Sequence, residues 1–231
     1  MRKIRKTLFT LDINHYEPEI TALTYPLMEY YAKKIGADFH IIKDRKFPDY
    51  PLTYEKLQLY NIIEEEDIDW AVFVDADTII KPDFFDITIQ FPKDTVCHNA
   101  NDESSHRYKA DRYFLRDGRF IGSCNWFAVA SDWCIDLWHP LDDMTCGEAL
   151  NNIMPIMEEI NTGLIPREHL IDDYVLSRNI ARFGLKFTTV RDLQMKKGYA
   201  QMLFLYHVYN VPAKQKLEML TGMLKSWGVV P

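Results

Sequence analysis

The first 75 residues alternate apolar runs with amphipathic segments, and this alternation constrains the fold more than any other feature. The apolar runs at residues 7–13, 39–42 and 70–74 have the length of buried strands. Residues 17–35 and 54–65, which separate these runs, carry apolar side chains at helical spacing. The order strand, helix, strand, helix, strand predicts an α/β layer around a largely parallel sheet.

Two residues bear on the limits of the first predicted helix. Gly36 stands where a C-cap glycine is expected, because glycine adopts the left-handed backbone conformation without steric cost. Pro26 lies inside the same segment and has no backbone N–H to donate, so it predicts a kink or a later start of the helix.

Composition and short motifs exclude several functional classes. The 231 residues carry a formal net charge of −7, which disfavours general nucleic-acid binding. The sequence has no G-x-G spacing and no G-K-[ST], so it lacks the dinucleotide-binding fingerprint and the P-loop. Its four cysteines form no C-x-x-C pair and are typical of reduced thiols in a cytoplasmic protein. No run of about 18 apolar residues predicts a membrane-spanning helix, and the basic N-terminus offers at most a peripheral contact with an anionic surface.

The second half of the chain is less regular. Residues 99–119 are polar, charged and rich in aromatics without a period, which is typical of a functional loop. Thr145 and Glu148 form a capping-box pattern that opens a helix to about residue 160. No linker rich in proline, glycine or serine divides the chain, so we expect one domain. The other predicted elements are strands at 125–130, 186–190 and 204–209 and helices at 167–183 and 213–227.

The sharpest motif is a pair of carboxylates that follows the third apolar run. Asp75 and Asp77 flank Ala76 directly after the predicted strand, in the segment WAVFVDADTII. The carboxyl ends of strands in an α/β sheet open onto the crevice where ligands bind. Two carboxylates at this position suit Mg²⁺ or Mn²⁺ that also contacts substrate phosphates, whereas a pair of turn-forming aspartates is the simpler alternative.

The segment DADT also resembles the D-x-D-x-T motif of haloacid-dehalogenase-like phosphotransferases. That resemblance implies Asp75 as the nucleophile and Asp77 as the acid and base, with a downstream lysine near the phosphate. In that family the motif usually follows the first strand, whereas here two predicted strands and two helices precede it. The candidates for the lysine are Lys186, Lys196 and Lys197.

The order of several segments, from residue 7 to about 214, resembles the metal-dependent glycosyltransferases of GT-A fold. The segments are FTLDIN, YEKLQLYNII, FVDADTIIKPDFF, HLIDDYVLSRNI and LYHVYNVPAK. The resemblance implies a single GT-A-like α/β domain with a mixed, mostly parallel central sheet flanked by helices. Residues 1–77 would form the nucleotide-binding half and residues 78–231 the acceptor half.

The resemblance also implies a metal site. Asp75 and Asp77 would bind a divalent cation that bridges the donor diphosphate, and Asp75 would also lie close to the ribose. His207 matches the histidine that completes the metal shell in several of these families, and it would favour Mn²⁺ because imidazole is a poor ligand for Mg²⁺. A hydrogen-bonded histidine among tyrosines is the alternative. In these families the histidine belongs to an H-x-x-G-x-x-K pattern, which this sequence meets only in part. Asn210 replaces the glycine, and Lys214 comes one residue late. Lys214 is therefore either a phosphate contact or a solvated lysine.

The segment IDDYVLSRNI resembles the E-D-x-x-L-x-x-R segment of inverting glycosyltransferases. Asp173 stands three residues before Leu176, as that pattern requires, and would be the base that deprotonates the acceptor hydroxyl. Asp172 takes the place of the glutamate, and a neighbouring carboxylate raises the pKa of such a base. The alternative is a pair of helix N-terminal acids that the helix dipole favours.

Further residues of the resemblance would contact the donor. The base and ribose would bind after the first strand, and the sugar would lie beside an aromatic ring, whose face suits the apolar side of a sugar. Residues 99–119 would form either a lid that excludes water or a charged surface loop. The candidate donor contacts are Thr10, Asp12, Asn14, Lys56, Asp75, Ala76, Asn125, Trp126 and Lys214, and the candidate lid residues are His98, His106, Arg107, Asp111 and Arg112.

Together these features give a specific functional prediction. The chain would transfer a sugar from a UDP- or GDP-sugar to a hydroxyl of a glycan or another acceptor, with Mn²⁺ or Mg²⁺. Asp173 favours inversion of the anomeric configuration, whereas a histidine metal ligand is typical of families that retain it, and inversion is preferred. The alternatives are the phosphatase and a non-catalytic domain that binds carbohydrate or a partner. The prediction includes no nucleic acid and no transmembrane segment, and it places the protein in the cytoplasm or peripherally at a membrane.

Overall fold

The computed structural model describes residues 2–100, 125–153 and 166–229. The strands are β1 (Lys6–Leu11), β2 (Asp38–Ile42), β3 (Trp70–Val74), β4 (Thr78–Ile80), β5 (Thr95–His98), β6 (Phe127–Ser131), β7 (Lys186–Thr189) and β8 (Leu205–His207). Six of them form a sheet in the order β2-β1-β3-β6-β5-β7, and β4 pairs with β8 in a second sheet.

The large sheet is mixed and mostly parallel, as the sequence predicts. β1 runs parallel to β2 and β3, and β5 runs parallel to β7. β6 is antiparallel to both of its neighbours, β3 and β5. Because β1 and β3 are parallel, Asp12 and Asp75 follow them at the same edge of the sheet. Phe127 of β6 lies opposite Val74, so Trp126 enters the sheet at that edge too.

The first helix begins close to the start that the apolar spacing predicts, at residue 17, and not later in the segment. In the part of the chain that the structure describes, the α-helices are α1 (Pro18–Ile35), α2 (Leu59–Glu65), α3 (Cys146–Asn152), α4 (Ile171–Arg182), α5 (Val190–Lys196) and α6 (Ala213–Ser226). α1 starts at Pro18 and continues through Pro26, so the later start does not occur. Gly36 ends α1 at φ 71° and its N–H donates to a carbonyl of the last turn, as a C-cap glycine should.

Other predicted boundaries are partly right. The segment predicted as one helix at 54–65 is a 3-10 helix, Leu52–Gln58, followed by α2. Thr145 and Glu148 form the predicted capping box, which opens α3. α3 ends at Asn152, and the rest of the helix predicted to residue 160 falls mostly outside the described residues.

Three of the strands and α-helices within the described residues were not predicted. β4 has three residues, all buried, and so shows no alternation of apolar and polar side chains. β5 is buried throughout its four residues and is equally short. α5 begins at Val190, which the sequence pattern assigned to a strand, because the side chain of Thr189 accepts a hydrogen bond from the N–H of Asp192 and caps a helix there.

Apolar side chains cover both faces of the large sheet. Phe9 and Phe73 point to the face on which α2 and α4 pack, whereas Leu8 and Val72 point to the face covered by α1. This division follows from the two-residue period of a strand. Each buried aliphatic or aromatic side chain contributes about 1.5–3 kcal/mol to the stability of this core.

The last helix packs on the second sheet. Leu220 and Leu224 of α6 form a cluster with Ile20 of α1, Ile79 of β4 and Val208. The apolar stripe of α6 is therefore buried inside the molecule, as is usual for an amphipathic helix. Within the described residues, no helix combines the length and the apolar character needed to cross a bilayer.

Candidate active site

The turn between β3 and β4, called the D-x-D turn below, carries Asp75 and Asp77 on either side of Ala76. The N–H of Asp75 donates to the carbonyl of Trp126 at 2.8 Å. The hydroxyl of Thr24, on α1, donates to the carbonyl of the intervening Ala76 at 2.6 Å. The turn is therefore held from two sides through its backbone, which leaves the carboxylates of Asp75 and Asp77 for other partners.

β8 brings His207 to this turn. In the β4–β8 pair, His207 lies opposite Thr78, the residue after Asp77. Its Nε2 is 3.1 Å from Asp77 Oδ1 and 3.8 Å from Asp75 Oδ2. Ligand atoms of these three residues all lie within 4.8 Å of one another, so they could share one metal ion.

Two aromatic rings stack against the imidazole of His207. The ring of Trp126 lies 4.9 Å away at an interplanar angle of 24°, and the ring of Tyr209 lies 5.8 Å away at 17°. Stacking fixes the plane of the imidazole, while its Nε2 edge faces the two carboxylates. Trp126, expected beside the donor sugar, therefore lies directly next to the candidate metal ligands.

The donor set fits a divalent cation of the Mg²⁺ or Mn²⁺ type. Carboxylate oxygens are the ligands these ions prefer, and an imidazole nitrogen is acceptable to Mn²⁺. Burial opposes ionisation of Asp77, but the hydrogen bond from His207 and the nearby charge of Lys216 outweigh it and hold the pKa of Asp77 well below its usual range. Burial raises the pKa of Asp75, although Lys56 and His207 act in the opposite direction. Asp77 is thus the more firmly anionic of the two carboxylates.

Lys56 is buried between acidic groups. Its side chain is 1% exposed, and its Nζ lies 3.1 Å from Asp75 Oδ1 and also pairs with Asp172. The same nitrogen donates to the carbonyl of Asn125 at 3.3 Å. Burial alone would lower the pKa of Lys56, but Asp172 and Asp75 outweigh it and raise that pKa above its usual value. Lys56 therefore stays an ammonium and links the D-x-D turn to α4.

Asp172 and Asp173 lie in the first turn of α4, beside this lysine. Asp173 Oδ1 accepts a hydrogen bond from the N–H of Asn125 at 3.0 Å. Burial and the charge of Asp172 raise the pKa of Asp173 well above its usual range, although Lys56 opposes the shift. A carboxyl group with a raised pKa is suited to accept a proton near neutral pH.

Lys216 is a site residue that the sequence patterns did not indicate. Its Nζ lies 2.8 Å from Asp77 Oδ2 and 3.2 Å from Glu17 Oε2. The exposed Lys214, which was the candidate phosphate contact, lies at the start of α6. Helix phase would have separated the two lysines, because Lys216 precedes the buried Leu220 by four residues and so lies on the same face of α6.

The segment after β1 is tied to the same site through Tyr16, whereas Thr10 lies within β1 itself. Thr10 is fully buried, and Asp12 Oδ1 accepts a hydrogen bond from the N–H of Tyr16 at 2.8 Å. The Tyr16 hydroxyl donates to Asp77 Oδ2 at 2.9 Å. Asn14 is exposed and has a left-handed backbone with φ 65°, which asparagine tolerates better than most residues. Of the three candidate residues for the base and ribose, only Asn14 is thus exposed.

One candidate lid residue lies within the described part of the chain. His98 ends β5, is buried, and has its ring 5.6 Å from that of Phe187. Burial lowers the pKa of His98 to about 4, so the imidazole is neutral at neutral pH. The other candidates, His106, Arg107, Asp111 and Arg112, and residues 101–119 of the predicted loop lie outside the described residues.

Comparisons with known proteins identify the fold. No protein-family model matches the sequence, and no curated protein matches it either. By structure, the chain is similar to a glycosyltransferase involved in the glycosylation of the major capsid of PBCV-1. The TM-score is 0.52 at 9% sequence identity, and the match covers 94% of this chain and 98% of the other. At this identity the likeness shows a shared α/β architecture.

Proposed function

We propose that this chain is a metal-dependent glycosyltransferase of GT-A type. It moves a sugar from a UDP- or GDP-sugar to a hydroxyl of a glycan or another acceptor. The observation that carries the proposal is the meeting of Asp75, Asp77 and His207, whose ligand atoms lie within 4.8 Å of one another. The shared fold with a glycosyltransferase supports it. In this proposal the chain is one domain, with a nucleotide-binding half at 1–77 and an acceptor half at 78–231.

Binding of the donor involves the edge of the sheet where β1 and β3 end. A divalent cation held by the three ligands would neutralise the negative charge that grows on the leaving diphosphate. Asp12 and Asn14 are the proposed contacts for the base and ribose, whereas Thr10 is fully buried within β1. Trp126 offers an aromatic face for the donor sugar next to the metal ligands.

Asp173 is the proposed general base. It takes the proton from the acceptor hydroxyl while the hydroxyl oxygen bonds to the anomeric carbon. The bond from that carbon to the diphosphate oxygen breaks, and its electron pair leaves with the diphosphate. This single displacement inverts the anomeric configuration. The division of roles between the two acids follows from their partners, because Asp172 is paired with the Lys56 ammonium whereas the pKa of Asp173 is raised.

The phosphatase alternative has less support. It requires a downstream lysine beside the phosphate site, and none of the three lysines proposed for that role lies there. A downstream lysine does reach the site, but it is Lys216, which pairs with Asp77 and Glu17. Lys186 instead lies 2.5 Å from Asp94 in an exposed ion pair. Lys196 and Lys197 are exposed at the end of α5. The structural similarity to a glycosyltransferase also points away from a phosphatase.

Isothermal titration calorimetry tests the proposal. UDP- and GDP-sugars are titrated into the wild-type protein with Mn²⁺ and with a chelator, and binding of at least one donor should require the metal. Asp77→Asn should abolish the metal effect, whereas Asp83→Asn, at an aspartate whose side chain is 56% exposed, should preserve it. Equal affinity with and without metal, or no binding of any donor, would contradict the proposal. The anomeric proton in the NMR spectrum of the product distinguishes inversion from retention.

A further inference from the structure

Each carboxylate of the candidate metal centre has one oxygen held by a buried lysine. Asp75 Oδ1 lies 3.1 Å from Lys56 Nζ, and Asp77 Oδ2 lies 2.8 Å from Lys216 Nζ. The opposite oxygens, Asp75 Oδ2 and Asp77 Oδ1, are the ones close to Nε2 of His207. In both aspartates the lysine therefore faces one oxygen, and the imidazole faces the other.

The Oδ2 oxygen of Asp77 already has its full number of hydrogen-bond donors. Besides Lys216, the Tyr16 hydroxyl donates to Asp77 Oδ2 at 2.9 Å, and Lys216 Nζ lies 2.5 Å from that hydroxyl. A carboxylate oxygen accepts about two hydrogen bonds, so these two donors occupy the lone pairs that a metal ion would need. Lys216 is 5% exposed, which leaves water little chance to replace it.

We propose that Lys56 and Lys216 are positioning residues that restrict Asp75 and Asp77 to one ligand oxygen each. The inference rests on the proposed metal centre and extends it to the choice of cation. Calcium takes six to eight oxygen ligands and often binds both oxygens of a carboxylate, whereas Mg²⁺ needs fewer ligands. Two lysines that block the second oxygens therefore select the smaller ions, including Mn²⁺, against Ca²⁺.

Measurement of cation binding in the absence of a nucleotide sugar tests this inference at Lys216. Free Mn²⁺ is counted from its electron paramagnetic resonance signal, and Ca²⁺ affinity is obtained by competition. The wild type should prefer Mn²⁺ to Ca²⁺. In Lys216→Met the freed oxygen of Asp77 should lower this preference by about tenfold, which corresponds to roughly 1.4 kcal/mol. Loss of the lysine's positive charge alone would strengthen the binding of both Mn²⁺ and Ca²⁺. The ratio of the two affinities therefore reports the effect of the freed Asp77 oxygen.

Two further variants complete the test. Lys225→Met removes the same charge from an exposed position of α6 and should leave the Mn²⁺ to Ca²⁺ ratio within about twofold of wild type. Tyr16→Phe removes one donor to Asp77 Oδ2 without changing charge, and it should shift the ratio in the same direction as Lys216→Met. It also covers the case in which Lys216→Met does not fold, as judged by circular dichroism.

The outcomes separate the inference from the proposed function. A wild-type protein that binds Mn²⁺, with an unchanged ratio in both folded variants, overturns the positioning role alone. If Lys216→Met does not fold, an unchanged ratio in Tyr16→Phe overturns it. A wild-type protein that binds no Mn²⁺ overturns the metal centre and the positioning role together.

Discussion

Replacing Lys56 with methionine should destabilise the protein strongly. Lys56 is 1% exposed and pairs with Asp172, whose side chain is 7% exposed, and with Asp75. Methionine has a similar length but removes the ammonium from both carboxylates. Breaking a buried ion pair by removing one partner costs about 3–5 kcal/mol, because the remaining charge is left uncompensated. For a chain of this size the melting temperature should fall by roughly 6–20 °C, at about 2–4 °C per kcal/mol.

The pH for this measurement follows from the raised pKa of Lys56. A basic group whose folded-state pKa lies above its unfolded-state value stabilises the fold fully below the unfolded-state value, which is about 10.4 for lysine. That contribution is lost only as the pH rises through the higher folded-state value. Urea unfolding at pH 7 therefore measures the whole effect as a decrease in the free energy of unfolding.

Lys186→Met is the matched control. Lys186 pairs with Asp94 at the surface, where the two side chains are 71% and 43% exposed. Solvent-exposed pairs contribute little, so this variant should unfold close to the wild type. If Lys56→Met and Lys186→Met unfold at the same urea concentration, the argument that burial makes the Lys56 pairs important is wrong.

Three further predictions concern catalysis. In initial-rate assays, Asp173→Asn should lower kcat by about 10²–10⁴-fold, because the variant loses only the proposed proton transfer. Its affinity for the donor, measured by calorimetry, should therefore stay near that of the wild type. An unchanged kcat would exclude Asp173 as the base. Burial and Asp172 raise the pKa of Asp173, so kcat/KM of the wild type should rise with pH as Asp173 loses its proton. The midpoint of this rise should lie above about 3.9, the pKa of an unperturbed aspartate. A midpoint at that value would contradict the raised pKa. His207→Ala should require at least about tenfold more Mn²⁺ than the wild type for half-maximal activity. His169→Ala, at an exposed histidine, should need the same Mn²⁺ concentration as the wild type. If both variants need the same Mn²⁺ concentration, His207 is not a metal ligand.

The sequence was most informative where a local pattern and a buried element coincide. Residues 70–74 were predicted as a strand with the same limits that β3 has, because five apolar residues between polar segments favour a strand buried on both faces. The position of Asp75 and Asp77 at the end of that strand follows directly. Gly36 and Thr145 were equally predictable, since caps depend on a few neighbouring residues.

Contacts between distant segments were not derivable in the same way. His207 was proposed as a ligand only from a resemblance, and its approach to Asp77 depends on the pairing of β4 with β8, two strands of three residues each. Lys216 was overlooked because the pattern favoured a lysine two positions earlier, although helix phase places it on the buried face. The pairing of Lys56 with Asp172 likewise depends on how the 3-10 helix packs against α4, which no local pattern indicates.

The central claim is that Asp75, Asp77 and His207 hold one divalent cation against the diphosphate of a nucleotide sugar. Its most direct test is a crystal grown with Mn²⁺ and UDP or GDP, measured at the manganese absorption edge. We expect one anomalous peak within coordination distance of all three side chains and of a diphosphate oxygen. A bound nucleotide whose manganese peak lies away from these residues would contradict the claim.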